Sequence, residues 1–137
     1  MAADTAVWAS TGGGYTVVGR YAKIDRLKDG SIFACTGRSA DHQAVMKWLA
    51  AGQEGEAPKV KEGFSAIWAR RDSVLKIEDD VRPFDMPDAA FYAAGASMEF
   101  LLGSLAAGAS AEEAVRLAIE YTDGAAGDVQ VERLAPS

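Results

Sequence analysis

The chain has 137 residues, of which 49% are apolar and 25% charged, a composition typical of one globular domain and not of a disordered chain. Its 14 basic and 20 acidic residues give a net charge of −6, which argues against nucleic acid as the main partner. The most apolar stretch, residues 89–109, contains Glu99 and is rich in Gly and Ser, so we expect no membrane span.

The cysteine and histidine content limits the possible chemistry. Cys35 has no second cysteine to pair with, which fits a reducing cytosol and a cytoplasmic protein. One Cys and one His do not form the usual zinc site. We expect no metal and no other cofactor. The start of the chain lacks a basic segment followed by an apolar run, so we expect no signal peptide.

The first quarter of the chain has the β-branched and alternating patterns of strands. The glycines Gly12–Gly14 predict a flexible turn, and Asp29-Gly30 is a typical β-hairpin turn. The predicted strands cover residues 5–9, 15–21, 23–27 and 31–36.

The middle of the chain predicts a helix and a second hairpin. Ser39 is a suitable N-cap for a helix over 40–51, and a polar loop over 53–63 follows. The segments 64–70 and 73–78 predict two strands that turn at Arg71-Asp72.

The last part of the chain predicts a strand, two helices and a final strand. An acidic connection over 79–88 leads to a short buried strand over Ala89–Ala94 and then to a helix over 98–107. Ser110 and Glu113 form a capping box for a helix that ends near Tyr121. Residues 128–134 alternate cleanly and predict the last strand.

This order of elements indicates an α+β fold. Hairpins dominate, so the sheets are expected to be mostly antiparallel, and three helices suffice to cover two sheets. We find no repeat, linker or composition boundary, and therefore predict a single domain over 1–137.

No isolated motif predicts an activity. The glycines Gly12–Gly14 are not followed by the Lys-Ser/Thr pair of a phosphate-binding loop. His42 is expected to be a surface or capping residue, and Cys35 a small buried apolar residue.

A series of short segments carries more information than any single motif. In chain order they are Ala2-Ala3-Asp4, Lys23-Ile24-Asp25-Arg26-Leu27, Gly37 with Ala40-Asp41, Tyr92-Ala93-Ala94-Gly95, and Ala125-Ala126-Gly127-Asp128-Val129. Together they resemble the proteasome β-subunit family, in particular the bacterial HslV type and the short proteasome-like proteins of phage and bacterial genomes. The resemblance covers nearly the whole chain.

The resemblance implies a fold and an activity. The fold is the four-layer αββα Ntn-hydrolase sandwich, with two mostly antiparallel sheets between helices, here lacking the first strand. The activity is peptide-bond hydrolysis by an N-terminal threonine whose α-amine is the general base. Asp4 and Lys23 match the family's catalytic Asp and Lys, which tune the nucleophile electrostatically. The alternative for Lys23 is an exposed strand lysine.

Other positions of the resemblance imply further site roles. Gly37 matches the glycine whose N–H serves the oxyanion hole, although it also suits a plain strand-to-helix turn. Cys35 matches the floor of the substrate pocket for the P1 side chain. Asp123 opens the family's Asp-x-x-Ser-Gly loop, in which the Ser is replaced here by Ala126. Ala96 likewise stands where the family usually has Ser.

The largest departure from the family concerns the nucleophile. Only three residues precede Asp4, so the first strand and its threonine are absent, and we expect this polypeptide to be inactive. Either the natural product starts upstream with a threonine, which the retained Asp4, Lys23 and Gly37 favour, or this is an inactive homologue. The alanines at positions 96 and 126 favour the second explanation.

The expected partners follow from the same resemblance. An active or an inactive family member is expected to form a ring of identical subunits, to meet peptide or protein substrates, and to work with an ATPase unfoldase. An unrelated α+β binding domain with accidental similarity stays as a third alternative.

Overall fold

A computed structural model describes residues 1–10, 15–85, 87 and 89–135, so the predicted turn at Gly12–Gly14 lies outside the described residues. In chain order the elements are β1 (Ala2–Asp4), β2 (Ala6–Ser10), β3 (Tyr15–Arg20), β4 (Ile24–Arg26), β5 (Ile32–Thr36), α1 (Ser39–Ala50), β6 (Ser65–Ala69), β7 (Val74–Ile77), β8 (Phe84–Asp85), α2 (Met98–Ala106), α3 (Ala111–Tyr121) and β9 (Val129–Val131). They fall into two compact units, Met1–Ile24 with Ala96–Glu132 and Asp25–Gly95 with Arg133–Ser137.

The first unit contains two strand pairs and two helices. β1 pairs antiparallel with β9 in a register that places Asp4 opposite Val129, and β2 pairs antiparallel with β3. α3 packs against β1 and β9 and contacts α2. Its buried face consists of small side chains, which permit close packing against the strands. These residues are Ala114, Val115 and Ala118.

The predicted capping box at the start of α3 is confirmed. The Ser110 hydroxyl accepts from the Glu113 N–H at 3.1 Å, and the Glu113 carboxylate accepts from the Ser110 N–H at 3.1 Å. The box satisfies two N–H groups that would lack partners, and its Ser contributes about 1 kcal/mol to stability. The helix ends at Tyr121, as the sequence predicts.

The second unit is built on a five-stranded sheet in the order β4-β5-β6-β7-β8. The pairs β5–β6, β6–β7 and β7–β8 are antiparallel. The predicted turn at Arg71-Asp72 is confirmed, because the Arg70 N–H donates to the Ser73 carbonyl at 2.8 Å. Large apolar side chains from the sheet, α1 and the loops form the core of this unit. They include Phe33, Val45, Leu49, Phe64, Trp68 and Ile77.

The start of α1 differs from the prediction. Ser39 is the first helical residue, and Arg38 is the N-cap without a side-chain cap. The buried carboxylate of Asp41 instead accepts from the Arg38 guanidinium at 2.9 and 3.1 Å and from the Lys61 N–H at 3.0 Å. The hydrogen bond from Arg38 lowers the pKa of the Asp41 carboxyl, and the Lys61 N–H acts in the same direction. A carboxylate near a helix N-terminus also interacts favourably with the helix dipole.

The strand predicted over Ala89–Ala94 is wrong. These residues form no regular element, and the large side chain of Phe91 is 37% exposed. The apolar character of the segment comes mainly from alanines, which have a low preference for strands. The short strand Phe84–Asp85 lies instead within the region expected to be only a connection.

The observed architecture confirms the predicted fold class. The protein is α+β, and the strand pairs described above are antiparallel. The stacking of two sheets between helical layers and the single domain over 1–137 stay predictions. No helix in the described part of the chain combines the length and apolar character that a membrane crossing requires.

Candidate functional site

An ion pair in the first unit joins two residues that the sequence singles out. Asp4 is the last residue of β1, and Lys23 directly precedes β4. Lys23 Nζ donates to Asp4 Oδ1 at 2.6 Å, and only 21% and 13% of the two side chains are exposed. Charge-assisted hydrogen bonds of this length are stronger than neutral ones. Lys23 is therefore not the exposed strand lysine of the alternative interpretation.

The second carboxylate oxygen of Asp4 is also bound. The Ala126 N–H, in the loop between α3 and β9, donates to Asp4 Oδ2 at 3.0 Å. With one donor on each oxygen, the carboxylate is fixed in orientation and its charge is compensated on both sides. Position 126 thus contributes through its backbone, although its side chain lacks the hydroxyl of the family pattern.

Thr5 connects β1 to the same loop, a role that sequence reasoning missed. Its hydroxyl accepts from the Asp128 N–H at 2.9 Å, and its carbonyl accepts from the Tyr21 N–H at 2.8 Å. A Cβ atom added at Gly127, where φ is +84°, would lie 2.6 Å from Thr5 Oγ1. The glycine is therefore required both for the backbone conformation and for the close approach.

Ser97 has a defined structural role that its position in the sequence did not reveal. The Thr122 hydroxyl donates to the Ala118 carbonyl at 2.7 Å, so the Ser97 hydroxyl is the donor in its 2.8 Å bond to Thr122 Oγ1. A Cβ atom added at Gly124 would lie 2.5 Å from Ser97 Oγ. Ser97 therefore anchors the end of α3 and the start of the following loop.

Asp123 lies in that loop but is not part of the bonds around Asp4. Its side chain is exposed, and the loop reaches Asp4 through Ala126. The catalytic role that the resemblance implies for Asp123 stays a prediction.

Gly37 and Cys35 belong to the second unit. Gly37 has φ +117°, and a Cβ atom added there would lie 3.6 Å from Phe64 Cα, so the position favours glycine on conformational grounds. Cys35 is a free cysteine on β5, 8% exposed within the apolar core. This placement agrees with a small buried apolar residue, whereas the roles in an oxyanion hole and a substrate pocket stay predictions.

His42 is a correction to the sequence interpretation. It is 2% exposed, its Nε2 lies 2.5 Å from Asp25 Oδ2, and its ring meets Phe33 edge to face at 5.5 Å between centroids. The expectation of a surface or capping histidine is wrong, because α1 turns this position toward the sheet, where Asp25 of β4 supplies the polar partner. Within the described residues no group of three or more His, Cys, Asp or Glu side chains could hold a metal ion.

Comparison with solved structures identifies the fold. The chain has the fold of HslV. It is similar to the eukaryotic HslV from Trypanosoma brucei, with a TM-score of 0.73, 19% identity, and coverage of 94% of this chain and 90% of that one. It is also similar to BPH from Thiobacillus denitrificans in complex with epoxomicin, with a TM-score of 0.68, 22% identity, and coverage of 98% and 92%.

A further structure of Thiobacillus denitrificans BPH has a TM-score of 0.63 at 21% identity and covers 99% of this chain and 92% of that one. Neither the comparison with family models nor that with curated proteins gives a match. At these identities the likeness to HslV and BPH concerns the fold, which agrees with the resemblance identified from the sequence.

Proposed function

We propose that this protein is a subunit of a proteasome-like, HslV-type peptidase that hydrolyses peptide bonds by a threonine mechanism. The observation that carries the proposal is the shielded Asp4–Lys23 ion pair, with the Ala126 N–H on the second carboxylate oxygen. Fold alone does not determine function, and this pair is the feature that links the fold to the family's chemistry.

The proposed role of the pair is electrostatic. A threonine hydroxyl attacks the carbonyl carbon of the peptide bond while an α-amine accepts its proton. The ammonium of Lys23 would stabilise the alkoxide that develops, and Asp4 would hold the ammonium in position. An oxyanion contact from the Gly37 N–H and a P1 contact with Cys35 are parts of the same proposal.

The nucleophile is assigned to no residue of the described site. Thr5 follows Asp4 instead of preceding it, and its hydroxyl already accepts from the Asp128 N–H. The proposal therefore gives this chain the supporting groups and requires an N-terminal threonine as the attacking group. In the natural assembly we propose a cytoplasmic ring of identical subunits in the four-layer fold, fed with protein substrates by an ATPase unfoldase.

A peptidase assay tests this function. It compares the 137-residue chain with a form that also contains the reading frame directly before the Met1 codon. We expect turnover of fluorogenic peptides only in the longer form. Within that form, Lys23→Ala should lower kcat by about 100-fold or more, the loss typical of a deleted electrostatic group. Lys28→Ala, on the exposed side of the nearby turn, is the matched control and should leave kcat unchanged.

Two results would contradict the proposed activity. An in-frame stop codon directly before Met1 would remove the source of the threonine. A longer form that folds and assembles but hydrolyses none of the fluorogenic peptides would also contradict the proposed activity.

A non-catalytic ring subunit with the same fold is the second candidate. It is favoured by the alanine at position 126, which offers Asp4 a backbone N–H but no hydroxyl. This candidate predicts a large species in analytical ultracentrifugation together with absence of turnover in both forms. A monomer in that experiment would contradict both candidates.

A further inference from the structure

Gln130 makes an unusual set of contacts in the first unit. It lies in β9, where its backbone is opposite Ala3 of β1. Its side-chain oxygen accepts from the Lys23 N–H at 2.9 Å and from the Ile24 N–H at 3.1 Å. Its side-chain nitrogen donates to the Ile24 carbonyl at 2.9 Å. Two donors and one acceptor on the backbone define which end of the carboxamide is which, so the orientation of the side chain is determined by chemistry.

These bonds lie where the chain enters β4, the edge strand of the five-stranded sheet. Residues 21–23 belong to no strand, and β4 begins only at Ile24, which is 4% exposed. Backbone groups that are partly shielded from water, as these are, need partners, because leaving them unpaired costs free energy. The carboxamide of Gln130 supplies three of these partners with a single side chain, so the path of the backbone at Lys23 depends on it.

The same segment of chain controls both halves of the ion pair. Ala126 orients Asp4 through its N–H, and Gln130, four residues later, holds the backbone from which the Lys23 side chain extends. We propose that Gln130 is a positioning residue whose carboxamide sets the backbone of Lys23 so that its ammonium meets Asp4. The consequence for catalysis rests on the proposed function, whereas the positioning itself does not.

Chemical modification of Lys23 tests the positioning without any turnover. The rate of acetylation of the Lys23 amine, relative to the exposed Lys28, is measured by mass spectrometry in the unmodified protein and in Gln130→Met. Methionine keeps the length of the side chain and removes all three hydrogen bonds. We expect the relative rate to rise about fivefold or more, the factor that the loss of one ordinary hydrogen bond gives in an opening equilibrium. Gln43→Met, on the exposed side of α1, is the matched control and should leave the ratio unchanged.

Gln130→Glu tests rescue, because a carboxylate oxygen still accepts from both N–H groups but no longer donates to the Ile24 carbonyl. We expect its ratio to lie closer to that of the unmodified protein than to that of Gln130→Met. Hydrogen exchange of the Lys23 and Ile24 amides should rise in Gln130→Met and return in part in Gln130→Glu. A uniform loss of stability would instead also raise the modification of Lys76, whose side chain is 13% exposed.

An unchanged Lys23 ratio in folded Gln130→Met would overturn the inference. If Gln130→Met does not fold, the same ratio in Gln130→Ala decides, since this variant also removes all three hydrogen bonds and an unchanged ratio there would overturn the inference. Either outcome leaves the peptidase proposal standing, whereas an assembled but inactive longer form contradicts the peptidase proposal and leaves the positioning of Lys23 intact.

Discussion

Each of the two units holds an aspartate carboxylate between a cationic side chain and a backbone N–H. In the first unit the cation is Lys23, whose side chain is 21% exposed, and in the second it is Arg38, 59% exposed. An ammonium removed from water costs free energy that an exposed guanidinium does not. The arrangement at Asp41 anchors the start of a helix to a loop, whereas the shielded Lys23 ammonium paired with Asp4 is the group proposed above to stabilise a developing negative charge.

The interiors of the two units also differ, in the size of their buried side chains. Among the side chains that the structure describes, the buried ones of the second unit include many large apolar groups, whereas those of the first unit are mostly small. In the first unit the buried residues include Ala6, Ala114, Ala118 and Ala125, and in the second Phe33, Phe64, Trp68 and Ile77. Substitutions in each unit distinguish these two kinds of interior.

Removal of a large core side chain should have the greatest effect on stability. Phe33 is fully buried, so Phe33→Ala is expected to lower the free energy of unfolding of the second unit by about 3–5 kcal/mol. Phe84→Ala, on the short strand β8 where 43% of the residue is exposed, is the matched control and should cost less than about 1 kcal/mol. Urea denaturation followed by circular dichroism measures both, and equal losses would mean that the core is not where this unit gains its stability.

Adding a side chain at a tightly packed glycine of the first unit should lower stability more than adding one at an open glycine of the second unit. Gly127 and Gly30 both have φ +84°, but a Cβ atom meets Thr5 Oγ1 at 2.6 Å only at Gly127, whereas nothing lies within 4 Å at Gly30. Gly30→Ala is expected to cost about 1–2 kcal/mol from backbone strain alone, and Gly127→Ala about 2–4 kcal/mol because of the additional clash.

Urea denaturation compares the two glycine variants, and hydrogen exchange shows where the loss occurs. Exchange of the Ala126 and Asp128 amides should rise in Gly127→Ala, because both donate to residues of the first unit. Identical losses of unfolding free energy in the two variants would show that the loop moves away from Thr5 at no cost in free energy.

The pH dependence of stability distinguishes the Asp41 arrangement. The Arg38 hydrogen bond lowers the pKa of this carboxyl in the folded state, so its contribution is complete above the ordinary Asp pKa of about 4 and is lost as the pH falls through the lower folded value. Asp41→Asn should therefore lower the free energy of unfolding by about 1 kcal/mol near neutral pH, because the amide keeps only part of the bonding. The difference should become smaller in acid, because the Asp41 carboxylate of the unmodified protein then becomes protonated.

Urea midpoints of the unmodified protein and of Asp41→Asn, measured from about pH 7 to about pH 2, check this expectation. The two curves should converge below the pH at which the folded carboxyl becomes protonated. A constant difference across the whole range would mean that the charge of Asp41 contributes nothing.

Local sequence signals predicted most of the regular structure. The Asp29-Gly30 and Arg71-Asp72 turns, and the capping box at Ser110 and Glu113, depend on residues close together in the chain, so their chemistry is visible without the fold. The prediction of a strand over 89–94 was wrong because a strand depends on contacts with distant residues. A strand requires a hydrogen-bonding partner from elsewhere in the chain, and an apolar run alone does not supply one.

The candidate site was predictable only in part. The resemblance pointed to Asp4 and Lys23, which the structure brings within hydrogen-bonding distance. It did not point to Gln130, because a glutamine in an alternating strand has no distinguishing feature until the backbone it contacts is known. His42 was misjudged in the same way, since burial on a helix depends on which face meets the sheet.

The sequence by itself therefore determined that this is an acidic α+β protein with hairpins, a capped helix and the segments of an HslV-like fold. The acidity, the hairpins and the capped helix follow from composition and from contacts between near neighbours in the chain, whereas the HslV-like segments were identified by their resemblance to the proteasome β-subunit family. Tertiary structure alone decided that Asp4 receives a donor on each oxygen and that one side chain more than 100 residues away holds the backbone of Lys23. Such contacts depend on which strands become neighbours, and this is set by the burial of the whole chain.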